Sequence, residues 1–433
     1  MARLFFRLGD EDVRLGLHVR VSPGAFCARP SARVRSAEPA SPIQGSPGAW
    51  DGMIVSPREE GVRRGWCPDA WRPMMAGDGL LVRVKPHLGR MSAAQAIGLS
   101  ELALTHGNGL LDLTRRANIQ IRGVDTTGWP ILLEHLGAIG LVDGDSQRES
   151  RRNVLVAPQW RAGDDTVRIA EELCDRLPEL PDLPGKVSFV IDAGPAPALA
   201  CEPGDFRIER DCEGRLMLRA DGRAKGKTLS VGGEVDALVA LAHWFAASGG
   251  AKARQMARHD APLPAWAIGE ARAAPALVSM VPGERDRGAA YGLPFGRIDA
   301  ATLLDLMKRP DTLGLRLTPW RVILAEGAPI VALPGLSIDP AEPLLRVDAC
   351  PGFPACPQAS VETRRLAGRL APLVEGRLHV SGCTKGCARL RAADVMLTGR
   401  NGRYDLAFGA RADAEPLFPG LDGTEILARL GVC

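Results

Sequence analysis

The sequence predicts an α+β protein built from two related halves. Strand-like and helix-like segments alternate along the chain, one six-residue segment recurs with similar neighbours, and four cysteines cluster in the last third.

The 433 residues allow several domains, and 54 Lys and Arg against 51 Asp and Glu give a net charge of only +3. This balance excludes the strongly basic character of many nucleic-acid-binding domains. No apolar run is long enough for a membrane helix. We therefore expect a soluble cytoplasmic protein without nucleic-acid or membrane partners.

The N-terminal segment, residues 1–60, is predicted to be a disordered tail rich in Arg, Pro and Ser. Residues 21–57 contain few large apolar side chains. Such a segment cannot bury enough surface to offset the entropy lost on ordering. We expect ordered structure from about Trp66 onwards.

The first ordered segment predicts a strand, a helix and a second strand. Residues 80–85 alternate as a strand with Arg83 and Lys85 on one face. Ser92 is predicted to cap a helix that continues to about Thr105. After Gly107-Asn-Gly109 we expect one continuous strand over residues 111–122, because its odd positions are mostly apolar.

The polar face of this expected strand allows two interpretations. It is either the solvent-exposed side of a sheet, as is common in antiparallel sheets, or the wall of a cavity that binds an anion. The sequence alone leaves both open, and the second makes Gln120 and the two arginines candidate binding residues. The even positions are Thr114, Arg116, Asn118, Gln120 and Arg122.

An internal repeat indicates duplication. The segment Gly89-Arg-Met-Ser-Ala-Ala94 recurs 207 residues later as Gly296-Arg-Ile-Asp-Ala-Ala301, and the same order of elements surrounds both copies. If both copies form regular strands, Arg321 in the second copy lies on the opposite strand face from Arg116 in the first, unless a bulge intervenes. The remaining predicted elements are strands at 153–157, 186–192, 377–380, 394–399 and 403–408 and a helix at 235–247.

Four cysteines form two closely spaced pairs, Cys350-x5-Cys356 and Cys383-x3-Cys387. In a reducing compartment such a group is typical of metal or cluster ligands. Structural zinc sites commonly use spacings near Cys-x2-Cys, whereas a 4Fe–4S cluster takes its ligands at separate irons. The wider spacing therefore favours 4Fe–4S, with zinc as the alternative.

These two pairs, together with the duplicated strand–helix–strand units, resemble the nitrite and sulfite reductase superfamily over about residues 66–410. The resemblance implies two ferredoxin-like half-domains and two larger α+β domains around a tetrapyrrole cleft. Within the superfamily, four motifs look like the precorrin-3B synthase family: Arg63-Arg-Gly-Trp-Cys-Pro68, Arg72-Pro-Met74, Gly77-Asp-Gly-Leu-Leu-Val-Arg83 and Cys350-Pro-Gly-Phe-Pro-Ala-Cys356-Pro-Gln-Ala359. The implied domains are 61–130 and 276–340 (half-domains), 131–275 (tetrapyrrole-binding) and 341–433 (cluster-binding).

The resemblance also implies site residues and an activity. The four cysteines, Cys350, Cys356, Cys383 and Cys387, would hold a 4Fe–4S cluster, and Arg116, Arg152 and Lys186 would face the tetrapyrrole. Ser188 stands where the reductases often have a second lysine. The implied reaction is oxygen-dependent hydroxylation and γ-lactone formation on precorrin-3A in aerobic cobalamin biosynthesis, with dioxygen and an external electron donor as partners. Whether an additional mononuclear iron takes part stays open.

Two alternative functions remain at this point. One is a sirohaem-dependent nitrite or sulfite reductase, and the other is a non-enzymatic iron–sulfur or zinc protein for electron transfer or assembly. His379, in a predicted strand before the second cysteine pair, is interpreted as a structural histidine.

Overall fold

The computed structural model describes residues 7–8, 11–12, 68–195, 197–277 and 279–430. Near the N-terminus two short strands, β1 (Arg7–Leu8) and β2 (Glu11–Asp12), pair in antiparallel orientation. The rest of the predicted tail at 1–60 lies outside the described residues. Within the described segments, no helix combines the length and the apolar character needed to cross a membrane.

The first unit of the fold, residues 68–139, contains five strands and two helices. Ser92 caps the first helix as predicted: its Oγ accepts from the Gln95 N–H (3.2 Å), and the Gln95 Oε1 accepts from the Ser92 N–H (3.0 Å). The elements are β3 (Met74–Ala76), β4 (Gly79–Val84), β5 (Arg90–Ser92), α1 (Ala93–His106), β6 (Leu110–Leu113), β7 (Ile119–Val124) and α2 (Trp129–Ala138).

The predicted continuous strand over 111–122 is wrong, because the chain reverses after Leu113. Strands β6 and β7 form an antiparallel hairpin with Leu113 opposite Ile119. Thr114 closes the turn: its N–H donates to the Asn118 carbonyl (2.8 Å), and its Oγ1 accepts from the Arg116 N–H (3.2 Å). Arg116 therefore lies in a turn rather than on a strand face.

The second unit, which begins near residue 140, is a five-stranded sheet covered by helices. In it β8, β9 and β10 run parallel, and β10, β11 and β12 run antiparallel. The helix predicted at 235–247 is confirmed. The elements are α3 (Ser146–Arg151), β8 (Val154–Val156), α4 (Asp165–Asp175), β9 (Phe189–Asp192), β10 (Phe206–Arg210), β11 (Leu216–Ala220), β12 (Lys227–Thr228), α5 (Glu234–Ala247) and α6 (Gly250–Ala253).

The third unit repeats the backbone of the first. Ala117 and Arg321 both have a positive φ (51° and 58°), and Thr318 Oγ1 accepts from the Trp320 N–H (3.2 Å) as Thr114 accepts from Arg116. Arg321 therefore occupies the position in the second unit that Ala117 occupies in the first. This explains why its strand parity differs from that of Arg116. The elements are β13 (Gly283–Arg285), β14 (Gly288–Gly292), β15 (Arg297–Asp299), α7 (Ala300–Met307), β16 (Gly314–Leu317) and β17 (Val322–Glu326).

The two repeated units exchange strands. One sheet has the order β15-β6-β7-β4-β3 and the other β13-β14-β17-β16-β5, so each unit contributes a three-residue strand to the edge of its neighbour's sheet. Helices α1 and α7 pack together, and one apolar core spans both units. The buried residues of α2 belong to this core, and the predicted boundary at residue 130 falls inside that helix.

The last unit carries the cysteine pairs. Its sheet begins with three parallel strands and ends with two antiparallel ones. Asn401 and Gly402 both take a positive φ in the turn between β20 and β21, as their sequence predicts. The elements are β18 (Val347–Ala349), α8 (Arg364–Leu370), β19 (Leu378–Ser381), β20 (Ala393–Arg400), β21 (Arg403–Ala410), β22 (Phe418–Leu421) and α9 (Gly423–Arg429).

Candidate functional site

The two cysteine loops follow the neighbouring parallel strands β18 and β19. Gly382 joins them, because its N–H donates to the Sγ of Cys350 (3.2 Å). A Cβ at Gly382 would lie 2.5 Å from the Cβ of Ala359, so only glycine permits this approach. Backbone N–H groups directed at cysteine sulfur are a common way to stabilise a thiolate ligand.

The four thiols lie close enough to influence one another. Burial raises the pKa of Cys356, and the charges of Cys350 and Cys383 raise it further. Burial also raises the pKa of Cys387, with Cys383, Cys350 and Cys356 acting in the same direction. Four thiols that repel each other as thiolates are a suitable donor set for a cationic group, which would remove that repulsion. In the described residues, no set of three or more His, Cys, Asp or Glu side chains is arranged to hold a metal ion.

The first cysteine loop rests on the first unit of the fold. The Ala355 carbonyl accepts from the Gly77 N–H (3.1 Å) and from the Arg122 Nη2 (3.4 Å). A Cβ at Gly77 would lie 2.1 Å from the Pro354 oxygen, so the two backbones are in direct contact. This packing holds the cysteine loop against the hairpin strand that carries Gln120.

Arg122 is buried in an ion-pair network. Its side chain is 3% exposed; Nε and Nη2 donate to the Asp78 carboxylate (2.8 and 2.7 Å), and Nη1 donates to Asp112 (3.2 Å). Burial by itself would raise the pKa of Asp112, but Arg364, Arg297 and Arg122 together hold it below its usual value. Arg122 therefore has protein carboxylates as partners, and its predicted contact with substrate stays a prediction.

Polar side chains form a row across the first sheet rather than along one strand. Residues Arg297, Asp112, Gln120 and Arg83 are consecutive cross-strand partners on β15, β6, β7 and β4. Arg83 Nη2 donates to Gln120 Oε1 (2.7 Å), and Arg297 Nε donates to Asp112 (3.1 Å). The predicted polar face over residues 114–122 is therefore wrong as a single strand face: Gln120 belongs to this row, whereas Arg116 lies in the turn.

One end of this row opens into a cationic cavity of about 510 Å³, its open mouth included. Arg72, Arg83 and Lys85 bring three positive charges to its wall against one carboxylate, Asp69. Cationic side chains in a cleft are suited to binding carboxylates, and arginine adds bidentate geometry. The cavity is lined by Pro68, Asp69, Arg72, Arg83, Lys85, Ser150, Asn153 and Gly185.

The turn residue Arg116 connects the hairpin to the second unit beside this cavity. Its Nη1 donates to Asn153 Oδ1 (2.9 Å), and its Nη2 donates to the Lys186 carbonyl (2.6 Å). Asn153 in turn donates to the Val187 carbonyl (2.5 Å). The structure therefore brings the Arg116 side chain to the backbone of Lys186, and their shared contact with a tetrapyrrole stays a prediction. The Lys186 ammonium has no ion-pair or hydrogen-bond partner among the described residues.

Arg152 lines a shallow second cleft with Arg116 and Lys85, whose empty space is about 380 Å³ when its opening to solvent is included. Its Nη2 donates to Glu149 (2.7 Å), which is fully buried, and Lys85 donates to the Glu149 carbonyl (2.6 Å). Burial raises the pKa of Glu149 and lowers that of Lys85, although each group's charge opposes the shift of the other. Of the five predicted binding residues, Arg116 and Arg152 line this cavity, and Lys186 contacts Arg116 through its backbone carbonyl. Gln120 lies with Arg83 in the polar row and Arg122 in the ion-pair network.

Sequence reasoning missed three cationic residues of the cleft, Arg72, Arg83 and Lys85. The alternation of Arg83 and Lys85 along a strand was a signal of their shared face, but not of a cavity in front of it.

Ser188 is buried: its N–H donates to the Asp205 carboxylate (2.9 Å). Position 188 therefore does not provide the second lysine ammonium that the reductases often have there.

Comparison with known proteins identifies the architecture. The profile of the nitrite/sulfite reductase ferredoxin-like half domain matches residues 72–139. A precorrin-3B synthase from Sinorhizobium sp is 29% identical over 415 residues, which cover 86% of this chain and 88% of the relative. The chain is therefore similar to proteins of the nitrite and sulfite reductase type over most of its length. A ferredoxin–nitrite reductase from Synechococcus elongatus is 26% identical, with 82% of each chain covered.

The superfamily fold is also found in a solved structure. The NirA protein of Mycobacterium tuberculosis superposes with a TM-score of 0.52 at 20% identity, covering 77% of this chain and 74% of NirA. This likeness and the two strand-exchanged units confirm the predicted α+β architecture of the superfamily.

Proposed function

We propose that the chain acts as a precorrin-3B synthase in aerobic cobalamin biosynthesis, in the cytoplasm. The observation that carries the proposal is its 29% identity with a precorrin-3B synthase across 86% of this chain and 88% of the relative. The substrate would be precorrin-3A. One atom of dioxygen would enter as a hydroxyl group at the meso carbon between rings A and D, and a ring A acetate would close a γ-lactone. The second oxygen atom would leave as water, which requires two electrons and two protons.

The charges of the cleft support this substrate. Precorrin-3A carries eight carboxylates, and each carboxylate taken from water needs charged hydrogen-bond donors. Arg72, Arg83 and Lys85 line one cavity, while Lys85, Arg116 and Arg152 line the other. Lys186 follows Gly185 at the rim of the first cavity. In the proposal these side chains bind and orient the tetrapyrrole, and Gln120 adds an amide beside Arg83.

The cysteine loops support a 4Fe–4S cluster as cofactor. The residues that would hold it are Cys350, Cys356, Cys383 and Cys387, whose thiols interact electrostatically and meet at closely packed glycines. When bound, the cluster would supply one-electron transfer from an external donor. Cys350 is buried, Cys356 and Cys383 are partly buried and Cys387 is exposed, so the cluster would be open to solvent on the Cys387 side. The N–H of Gly382 would orient Cys350. An additional mononuclear iron is a finer proposal, and the described residues assign no ligands to it.

Ser188 favours the synthase over a reductase of nitrite or sulfite. Reduction of these small anions requires positive charge and a proton supply beside the substrate oxygens. At position 188 this chain has a buried hydroxyl side chain against Asp205 instead of an ammonium group. Lys186 would be the lysine that remains near the tetrapyrrole.

The test is anaerobic purification followed by absorption and EPR spectroscopy, and then incubation with precorrin-3A, ¹⁸O₂ and a reduced electron donor. The expected result is a cluster signal without sirohaem bands and a product that has gained one ¹⁸O atom. Soret and Q bands of sirohaem together with nitrite or sulfite reduction would contradict the proposal. So would one zinc ion per chain without acid-labile sulfide.

A further inference from the structure

His379 is a fully buried imidazole without a hydrogen-bond partner. Its exposed fraction is 0%, and neither Nδ1 nor Nε2 has a partner among the described residues. A buried polar group left unpaired costs on the order of 1–3 kcal/mol. Such a group is uncommon in a folded protein and requires an explanation.

The register of the sheet places His379 beside the strand that leads into the first cysteine loop. Asp348 pairs with His379, and Ala349 pairs with Val380, across the parallel strands β18 and β19. Ala349 and Val380 point into the apolar core of this unit. Because side chains alternate, Asp348 and His379 face the opposite side of the sheet. Cys350 follows directly after the last residue of β18.

His379 also packs under the second cysteine loop. Gly386 lies between Cys383 and Cys387, has φ +59°, and approaches the imidazole so closely that a Cβ there would lie 3.7 Å from Cε1 of His379. The ring thus packs beside one cysteine loop and lies on the strand next to the one that leads into the other loop.

The charges around His379 leave its imidazole neutral. Burial lowers its pKa to about 4; Asp348 opposes this shift, and Arg389 and Arg321 reinforce it. Asp348 is itself engaged by Arg321 and by Arg389 (3.4 Å) and Arg377 (3.8 Å). A neutral imidazole carries one N–H, which needs an acceptor.

We propose that His379 donates this N–H to a sulfur atom of the iron–sulfur cluster and thereby raises the reduction potential of the cluster. The inference rests on the proposed function, since it requires the cluster to be present. Hydrogen bonds to cluster sulfur stabilise the more negative reduced form, and they are one of the main ways by which proteins set the potential. His379 is thus a positioning and tuning residue, not a ligand.

The test compares His379→Leu, His379→Gln and the control Met396→Leu, whose side chain is the cross-strand neighbour of His379 on the same face. Iron and sulfide content, the EPR spectrum of the reduced cluster and its midpoint potential are measured in the purified full-length protein. We expect a lower potential in His379→Leu, a smaller decrease in His379→Gln, which keeps an N–H donor, and no change in the control. A full cluster with an unchanged potential in His379→Leu would overturn the inference.

A second measurement covers the case in which His379→Leu loses the cluster. Pulsed EPR on the otherwise unmodified protein with ¹⁵N-labelled histidine should detect one histidine nitrogen coupled to the reduced cluster. Absence of that coupling would overturn the inference while the proposed function stands. A purified protein without iron and sulfide would overturn both.

Discussion

Arg116 donates a 2.6 Å hydrogen bond to the backbone carbonyl of Lys186, seventy residues further along the chain. Its other terminal nitrogen holds Asn153 (2.9 Å). Arg116 therefore holds the backbone of the segment that carries Lys186 against the hairpin turn.

The first prediction concerns this contact. Arg116→Ala should weaken precorrin-3A binding by about 2–4 kcal/mol, because it removes one cation and frees the Lys186 segment. The measurement is substrate affinity and turnover, with iron content as the check of the cluster. Arg115→Ala is the control, since Arg115 is exposed and contacts only Glu202 (3.6 Å) among the described carboxylates. Equal affinity in Arg116→Ala and the unsubstituted protein would show that this turn does not contact substrate.

The second prediction concerns the cluster ligands. Cys350→Ser or Cys383→Ser should lose most of the iron and acid-labile sulfide, because each thiolate would complete one corner of the cluster. Cys174→Ser should lose neither: burial raises the Cys174 pKa to about 11, and its side chain packs in the apolar core of the second unit. Normal metal content in a Cys350 or Cys383 variant would contradict the ligand assignment.

The third prediction concerns the buried arginine. Arg122→Met should lower the free energy of unfolding by about 3–5 kcal/mol, because Asp78 and Asp112 lose their shared buried partner. Arg365→Met is a suitable comparison: its pair with Glu362 (2.8 Å) has an arginine side chain that is 83% exposed, and such pairs contribute about 0–1 kcal/mol. Denaturant titration of both variants measures the difference, and similar losses in the two would contradict the buried network.

The fourth prediction concerns pH. The pKa of His379 is lowered from 6.5 to about 4 in the folded chain, so the unfolded chain binds more protons between these two values. Stability should therefore fall as pH decreases from about 6.5 to 4, by up to about 3 kcal/mol from this group. His379→Gln should show a flatter dependence of unfolding free energy on pH in that window. Parallel curves for the two proteins would show that His379 does not titrate with a lowered pKa.

The fifth prediction concerns the N-terminal segment. Deletion of residues 1–60 should leave turnover and melting temperature nearly unchanged, because its composition offers few apolar side chains to a core. Thermal unfolding of the truncated and full-length proteins measures this. A large fall in melting temperature would show that the segment packs on the fold.

Local sequence signals predicted the elements that depend on local chemistry. The capping pair Ser92 and Gln95 begins α1, and Asn401-Gly402 forms the turn between β20 and β21. The hairpin at 114–118 escaped prediction for a physical reason. Leu113 and Ile119 are an even number of residues apart, so the apolar alternation resumes in phase after a turn that contains neither glycine nor proline, with only Arg115 interrupting it.

The sequence predicted only those parts of the candidate site whose residues are recognisable from their spacing along the chain. The cysteine pairs were evident from their spacing, but Arg122 gives no local sign that its partners are Asp78 and Asp112. Likewise, nothing near Arg72 indicates that it meets Arg83 and Lys85 across a cavity. Such contacts follow from how sheets and loops pack, which depends on residues far apart in sequence.

The strand exchange has a consequence for how the chain folds during synthesis. The edge of β6 receives β15 only after residue 299 has left the ribosome, and β5 must wait for β16 at 314–317. Pairings so distant in sequence are slow to form, and open strand edges invite association with other chains. Each repeated unit is therefore an incomplete folding unit, and the nascent chain carries an unpaired sheet edge until the second unit has been synthesised.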